Sequence, residues 1–376
     1  ALTHFRACLD RGRAWEEAWT RLFDAYASEY PDLAREWKDC HDGRWPAGWE
    51  ASLPSFDPGQ DPIATRSASG KVLEAVAPKL FALLGGSADL APSTKTFVKG
   101  LGVIKVDSCG RNIHFGIREH AMGGILNGMA LSGALVPYGA TFLVFSDYMR
   151  PSIRLAALMK LRVIYVFTHD SVAVGEDGPT HQPVEQIAAL RAIPNLVVIR
   201  PADANETVSA WQFALNHRQG PIALILTRQK VPTIDRGRFA SPEGLRRGAY
   251  ILAEAPNGTP EVLILATGSE VHLALAAYEK LVQEGTAVRV ISLPSWEIFD
   301  AQDAAYREEV MPARVKARLA VEAAVPLGWE RYVGNEGRVI GIQRFGASAP
   351  GGTVLEKLGF TAEAVVAAVR EMLERV

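Results

Sequence analysis

Short runs of consecutive apolar residues, separated by helix-like segments, constrain the fold of this 376-residue chain most strongly. The run from Val163 to Phe167 has no charged or amide side chain, and similar runs recur within 195–200 and 221–227. A strand with one wet face alternates apolar and polar residues, whereas a strand buried on both faces is apolar throughout. The pattern therefore predicts an α/β fold with mainly parallel sheets.

Two such series follow one another, separated by a polar connection at 229–248. The first series predicts strands at 81–86, 161–168, 195–200 and 221–227, with helices at 67–78, 118–133, 183–191 and 204–217. The second predicts strands at 261–266, 287–292, 318–323 and 338–342, a helix after Gly268-Ser269, and a final helix near 361–375. A domain of about 150 residues is ordinary, so the chain is long enough for two. We therefore predict two doubly wound domains.

A helical segment and a linker precede these series. Within residues 3–40, apolar side chains recur at three- and four-residue steps, which is typical of an amphipathic helix. Its aromatic stripe, with Trp15 and Trp19 at its centre, predicts that this helix covers another surface. Residues 42–61 are rich in Pro, Gly and Asp and read as a linker. The predicted division is 1–61 for this segment, 62–235 for the first domain and 236–376 for the second.

Composition excludes several partners. Forty basic and 42 acidic side chains leave a formal charge of −2, without the basic field that attracts nucleic acid. No apolar run approaches the ~20 residues that a membrane span needs. Cys8, Cys40 and Cys109 lack metal-ligand spacing and are too few for a disulfide framework, which predicts a reducing, cytoplasmic location.

Polar side chains gather where predicted strands end, and in open parallel sheets ligands bind beyond the carboxyl ends of strands. The loop at 168–183 contains His169, Asp177 and His181. Such a loop could be a solvated surface turn, but its position favours a functional site. Arg228 follows the strand at 221–227, where its planar fork suits a phosphate or carboxylate, although an ordinary surface arginine remains the alternative.

Glu119 is predicted in the first turn of a helix that contains Gly123, Gly124 and Gly128. An acid in the first turn can simply complement the helix dipole. Each internal glycine costs up to about 1 kcal/mol relative to alanine, which indicates that another backbone approaches closely. Such packing would remove water from Glu119 and favour its protonated form, as a proton donor near neutral pH requires.

Seven segments, in this order, resemble the transketolase family. They are Ala64-Thr65-Arg66, Gly85 to Ser93, Gly116-Ile117-Arg118-Glu119-His120, Thr141 to Phe145, Thr168 to Ser171, Gly175 to Pro183, and Leu226 to Gln229. The resemblance implies transfer of a two-carbon ketol unit from a ketose phosphate to an aldose phosphate, in the pentose phosphate pathway, with thiamine diphosphate as cofactor.

The resemblance also implies roles for single residues. Glu119 matches the residue that hydrogen-bonds the aminopyrimidine ring of the cofactor and promotes its imino form. Phe142 and Phe145 match the aromatic side chains that hold this ring, with Tyr148 nearby, and Asp89 matches a residue beside the cofactor. For the two phenylalanines, core packing is the alternative role.

The implied substrate-binding residues form two groups. Those that match the phosphate grip are Arg66, Ser93, His169 and Arg228, and those that match contacts to substrate hydroxyls are Asp177 and His181. This combination favours transketolase over deoxyxylulose phosphate synthase and over the decarboxylating component of pyruvate dehydrogenase. Dihydroxyacetone synthase remains an alternative.

One family motif is missing. The Gly-Asp-Gly sequence, which with a later Asn anchors the cofactor's diphosphate through a divalent metal, does not occur in this chain. We therefore expect the diphosphate-binding domain, with ligands for Mg²⁺ or Ca²⁺, to be absent, and residues 1–61 to be its tail. The chain is then a fragment of a homodimeric enzyme, inactive alone and with no metal ligands of its own. A non-catalytic dimerisation or binding module is the alternative.

Overall fold

The computed structural model describes residues 1–374, and its two α/β domains confirm the predicted fold class. The first sheet has six parallel strands in the order β2-β1-β3-β4-β6-β5. Its strands are β1 Leu83–Ser87, β2 Asn112–His114, β3 Val136–Phe142, β4 Ile164–Thr168, β5 Val197–Ile199 and β6 Ile222–Leu226.

The second sheet has five strands in the order β11-β10-β8-β9-β7. They are β7 Tyr250–Ala253, β8 Val262–Ala266, β9 Val288–Ser292, β10 Ala317–Val321 and β11 Arg338–Ile340. All neighbours are parallel except β7, which pairs antiparallel with β9 at the edge.

The helices alternate with these strands along the chain. They are α1 Leu2–Glu29, α2 Pro31–His41, α3 Thr65–Val76, α4 Ala91–Thr94, α5 Glu119–Leu131, α6 Ser146–Leu158, α7 Gln186–Arg191, α8 Ala204–Asn216, α9 Glu270–Gln283, α10 Trp296–Asp300, α11 Ala304–Val310, α12 Glu330–Val333, α13 Gly351–Lys357 and α14 Ala362–Leu373. The final helix, predicted near 361–375, thus matches α14, although residue 375 lies outside the described residues.

Each central strand is apolar throughout because its two faces belong to different cores. In β4, Ile164 and Val166 pack into one cluster, whereas Tyr165 and Phe167 pack into the cluster on the other face. The residues of β8 divide between two clusters in the same alternating way. Burial on both faces explains why the sequence of these strands lacks the polar alternation of a half-exposed sheet.

Sequence reasoning missed several elements. It assigned no helix to α6 and no strand to β2, β3 or β7, although the whole of β3 is buried. Two of these strands are only three or four residues long, too short for a clear period. In β3, Pro137 and Gly139 interrupt the apolar pattern.

The N-terminal segment is two helices rather than one. Pro31 lacks a backbone N–H and begins α2 as its first residue, so the helix predicted over 3–40 breaks there. Within residues 1–374 most of the aromatic stripe remains exposed, with Phe5 at 68% and Trp15 at 73%. Only its end packs locally, where Phe23 meets Trp37 with ring centroids 4.8 Å apart. That the stripe covers another surface stays a prediction.

No helix in the described part of the chain combines the length and apolar character needed to cross a membrane.

Candidate active site

The predicted site residues converge because neighbouring parallel strands end at one edge of the first sheet. In the register of the sheet, Phe142 lies beside Thr168, and Thr168 lies beside Leu226. The residues that follow these strands therefore share one edge, which is where open α/β sheets bind ligands.

A reciprocal pair of hydrogen bonds brings the start of α3 to this edge. The Thr65 backbone N–H donates to Thr227 Oγ1 at 2.9 Å, and the Thr227 backbone N–H donates to Thr65 Oγ1 at 2.7 Å. Both threonines are buried. This pairing places the residues that follow them, Arg66 and Arg228, at the same end of the sheet.

Arg66 links two of the predicted phosphate-binding residues. Its Nη1 donates to the Ser93 carbonyl at 2.8 Å and lies 3.4 Å from His169 Nε2. Burial lowers the pKa of Arg66, and the charge of Arg228 lowers it further. Among residues 1–374 neither guanidinium group forms an ion pair with a carboxylate, and two such groups near each other are typical of a site for an anion.

His169 is fixed by its backbone and by its neighbours. Its φ is +62°, a left-handed conformation that is uncommon outside glycine and often found at functional sites. The ring stacks on Phe142 with centroids 3.6 Å apart, and its Nδ1 lies 2.8 Å from Thr168 Oγ1. Burial, followed by the charges of Arg66 and Arg228, lowers the pKa of His169 to about 3. The imidazole is therefore neutral near pH 7.

A row of aromatic rings continues from His169 to the surface. Phe142 stacks on Phe145 with centroids 5.9 Å apart, and Phe145 stacks on Tyr148 at the same distance. His181 approaches Phe145 edge-on at 5.5 Å. The predicted ring-binding residues and His181 thus come together, and Phe145 is only half-buried.

Glu119 begins α5, as predicted, but its surroundings are more open than the glycines indicated. A Cβ atom at Gly123 would overlap the Ser152 side chain of α6, so close packing is confirmed there. At Gly124 and Gly128 a Cβ atom would meet nothing within 4 Å among the described residues, so close packing at these two positions stays a prediction. Glu119 is half-exposed, because this face of α5 has no neighbour in residues 1–374.

Asp89 and Asp177 stand apart from the buried part of the site. Both are exposed, and among residues 1–374 neither side chain forms a hydrogen bond or an ion pair. Asp89 has a left-handed φ of +61° in the turn after β1. Their contacts to cofactor and substrate stay predictions.

Half of the loop after β4 is buried in the interior of the protein. Every residue from 168 to 175 is buried, so this part cannot be the solvated surface turn considered as an alternative. Gln182 Nε2 fixes the far end of the loop by donating to the carbonyls of Gly175 and Ala347, at 2.8 and 2.9 Å. The second of these bonds ties the loop to the C-terminal domain.

Two buried groups near the site escaped sequence reasoning, the Thr65–Thr227 pair and the ion pair between Arg200 and Asp170 at 2.7 Å. A signal for the second pair was present, because Arg200 ends the apolar run at 195–200 and Asp170 follows β4. Both positions lie at the carboxyl ends of strands, where open α/β sheets bind their ligands.

Among residues 1–374, no group of three or more His, Cys, Asp or Glu side chains is arranged to hold a metal ion. The cysteines Cys8, Cys40 and Cys109 are all free thiols.

Comparisons with known proteins agree with this architecture. Residues 61–233 match the model of the transketolase pyrimidine-binding domain, and residues 248–361 match that of the transketolase-like C-terminal domain. A transketolase from Geobacillus stearothermophilus is 55% identical over 372 residues, which cover 98% of this chain and 56% of that protein. The chain thus spans about half the length of the curated relatives that it matches.

Solved structures give the same result. A transketolase from Pichia stipitis in complex with sedoheptulose 7-phosphate is 38% identical with a TM-score of 0.91, covering 97% of this chain and 54% of that chain. A split-gene transketolase, described as an inactive β4 tetramer, is 28% identical with a TM-score of 0.68, covering 84% of this chain and 99% of that one. The two domain models, the relatives and the folds all agree, and the chain belongs to the transketolase family.

Proposed function

We propose that this chain supplies the cofactor-activating and substrate-phosphate-binding half of a transketolase active site. The reaction is transfer of a two-carbon ketol unit from a ketose phosphate, such as xylulose 5-phosphate, to an aldose phosphate, such as ribose 5-phosphate. The observation that carries the proposal is the convergence of Arg66, Ser93 and His169 beside a row of aromatic rings.

The phosphate site gains its selectivity from a division of roles. Arg66 and Arg228 supply positive charge, and their planar forks match phosphate oxygens. His169 is neutral near pH 7 because burial and these cations lower its pKa to about 3, so it provides a directed hydrogen bond rather than charge. The Pichia stipitis relative, solved with sedoheptulose 7-phosphate, supports a sugar phosphate as the ligand.

The residues present fit the pyrimidine end of thiamine diphosphate. Phe142, Phe145 and Tyr148 form a row of nearly parallel rings, and such a row suits a flat heteroaromatic ring. When bound, the cofactor supplies the electron sink that allows the ketol unit to leave one sugar and join another. Glu119, at the start of the helix that packs against α6, would hydrogen-bond a ring nitrogen of the bound cofactor and would exchange a proton with it.

We propose that the rest of the site lies outside this chain. The ligands for Mg²⁺ or Ca²⁺ and the diphosphate anchor would come from a diphosphate-binding domain, and residues 1–61 would be the tail of that domain. The division at 62–235 and 236–376 and the cytoplasmic location belong to the same proposal. The chain alone should then be inactive.

A homodimer is the proposed assembly, and the open face of α5 supports it. Ile125 is 50% exposed and Leu131 61%, while on α6 Leu155 is 47% exposed and Leu158 64%. Apolar side chains concentrated on two adjacent helices mark an interaction surface. A second copy would cover Gly124 and Gly128, which accounts for glycine in the open face of a helix. A non-catalytic dimerisation module would need this face but not the phosphate-binding set.

A chimera tests the proposal. The chain is joined to the part of the Geobacillus stearothermophilus relative that it does not match, and ketol transfer is assayed with xylulose 5-phosphate, ribose 5-phosphate, thiamine diphosphate and Mg²⁺. We expect turnover by the chimera and none by the chain alone. Dihydroxyacetone synthase activity is distinguished by replacing ribose 5-phosphate with formaldehyde.

Two variants of the chimera separate the roles. We expect Glu119→Gln to lower kcat by about 100-fold or more, because acid–base groups contribute on that scale. Glu74→Gln, which changes an exposed glutamate on α3, is the matched control. Full activity of the Glu119→Gln chimera, or turnover by the unmodified chain alone, would contradict the proposal.

A further inference from the structure

The C-terminal sheet has the strand order that usually forms a ligand-binding crevice. From β8 the chain passes to β9 on one side and then crosses to β10 on the other, so the order reverses at β8. In open α/β sheets a ligand binds at such a switch point, beyond the carboxyl ends of the strands. Here Thr267 and Gly268 follow β8, and Glu322 follows β10.

A side chain from the other domain fills this crevice. Arg200, which follows β5 of the first sheet, is fully buried, and its Nη1 donates to Thr267 Oγ1 at 3.0 Å and forms an ion pair with Glu270. Gly268 has a φ of +55°, and a Cβ atom there would lie 2.7 Å from Arg200 Cζ. The backbone of the crevice is thus shaped closely around the guanidinium group.

The opposite edge of the same guanidinium holds the loop after β4. Arg200 Nη2 and Nε donate to Asp170 Oδ2 at 2.7 and 3.1 Å, and both side chains are at most 1% exposed. Asp170 is the chain neighbour of His169. The fixed fork of an arginine therefore joins the crevice of one domain to the phosphate-binding loop of the other.

A second branch of the network reaches the other side of the phosphate site. Ser269 Oγ donates to Glu270 Oε1 at 2.6 Å and accepts from Gln229 Nε2 at 3.1 Å. Gln229 is the chain neighbour of Arg228. The crevice is therefore tied to the loops that carry two of the four predicted phosphate-binding residues.

We infer that Arg200 is a positioning residue, an internal ligand of the C-terminal domain that fixes His169 and Arg228 for the sugar phosphate. The inference rests on the proposed phosphate site and gives the C-terminal domain a role in it. Because Arg200 is fully buried, it acts through Asp170 and Glu270 rather than by touching a ligand. Exact placement matters because an error of about 1 Å at a binding group can reduce rates about 100-fold.

The test uses the whole chain and NMR of the His169 ring, with the signals assigned by His169→Gln. Arg200→Lys keeps the charge but loses the fork, and Gly268→Ala keeps Arg200 but crowds its guanidinium. Arg289→Lys is the control, because Arg289 is also buried and paired, with Glu254 at 2.7 Å, but within the C-terminal domain. Ribose 5-phosphate and inorganic phosphate are the titrants.

We expect both Arg200→Lys and Gly268→Ala to shift the His169 ring signals in the free chain and to raise the Kd for ribose 5-phosphate about tenfold. The Arg289→Lys control should keep the wild-type values even if it unfolds at lower temperature. Unchanged His169 signals and Kd in both site variants, with the fold intact, would overturn the inference.

The outcome also separates this inference from the proposed function. If the wild-type chain showed no His169 response to either titrant, the proposed phosphate site would fail. The ring signals of the free variants would still decide whether Arg200 positions His169, because that comparison needs no ligand.

Discussion

Replacing Arg191 by methionine should destabilise the contact between the two domains severely. Arg191, in the last turn of α7, donates two hydrogen bonds of 2.8 Å to Glu322. The two side chains are 5% and 1% exposed. In Arg191→Met the apolar stem still covers Trp296, whose ring centroid lies 3.8 Å from Arg191 Cζ, but the Glu322 carboxylate loses the cation that donates hydrogen bonds to it.

The size of the effect follows from the carboxylate. Burial raises the pKa of Glu322, but Arg191, through its charge and hydrogen bonds, outweighs burial together with the smaller effects of Arg200 and Trp329, and the pKa falls from 4.5 to about 2. Since one pKa unit corresponds to about 1.4 kcal/mol, this difference corresponds to roughly 3 kcal/mol. Breaking a buried ion pair by removing one partner costs about 3–5 kcal/mol, which agrees.

Urea unfolding followed by tryptophan fluorescence measures the loss, because Trp296 and Trp329 both adjoin Arg191. Arg331→Met is the matched control. Arg331 also lies near Trp296, but its ion pair with Asp300 is 54% and 31% exposed. Exposed pairs contribute less than about 1 kcal/mol, so the control should lose no more than that.

The pH dependence gives a second criterion. A carboxylate with a lowered pKa stabilises the fold above pH 4.5, and this contribution is lost as the pH falls from 4.5 to about 2. In Arg191→Met the charge of Arg200 and the hydrogen bond from Trp329 still lower the pKa of Glu322, but the larger effect of Arg191 is gone, so the loss of stability on acidification should shrink. A variant that lost under about 1 kcal/mol and kept the wild-type acid dependence would refute the reasoning.

Three further predictions concern the first domain. Burial and neighbouring cations lower the pKa of His169 to about 3, so its ring signals in NMR should not titrate between pH 8 and 5. Because His169 protonates first in the unfolded chain, it should also reduce the stability of the fold as the pH falls below 6.5. A titration midpoint of the ring signals near pH 6.5 would contradict this. Gly123→Ala should lower the free energy of unfolding by about 1–3 kcal/mol, because the added methyl group overlaps α6. Gly128→Ala, with open space around it, should stabilise the monomeric chain by about 0.5–1 kcal/mol. Both effects are measured by urea unfolding, and equal effects would refute the packing argument. Tyr165→Phe should be neutral or stabilising, because the buried Tyr165 hydroxyl has no hydrogen-bond partner among residues 1–374. Tyr138→Phe should destabilise the fold by about 1 kcal/mol, because it removes a 3.1 Å hydrogen bond to a backbone carbonyl. The opposite order of melting temperatures would contradict this.

Sequence reasoning predicted the elements whose pattern is local. The apolar run from Val163 to Phe167 indicated a doubly buried strand, and β4 is one. Glu119 was expected at the start of a helix, and α5 begins there. Sequence reasoning failed at β7, which is short, and at β3, where a proline and a glycine interrupt the apolar pattern of the strand. It also treated the glycines of α5 alike, although only Gly123 meets a neighbour in residues 1–374.

In the candidate site, too, local sequence patterns and tertiary contacts determined different features. The sequence by itself determined which side chains are available, because each of them lies in a short contiguous motif: His169 and Arg228 follow strands, and Arg66 lies at the start of a helix. Only the tertiary structure decided which of them meet. The contact between Arg66 and His169 spans 103 residues, and that between Arg200 and Glu270 spans 70. Such distances close only through strand order and domain packing, which depend on long-range burial rather than on local propensity.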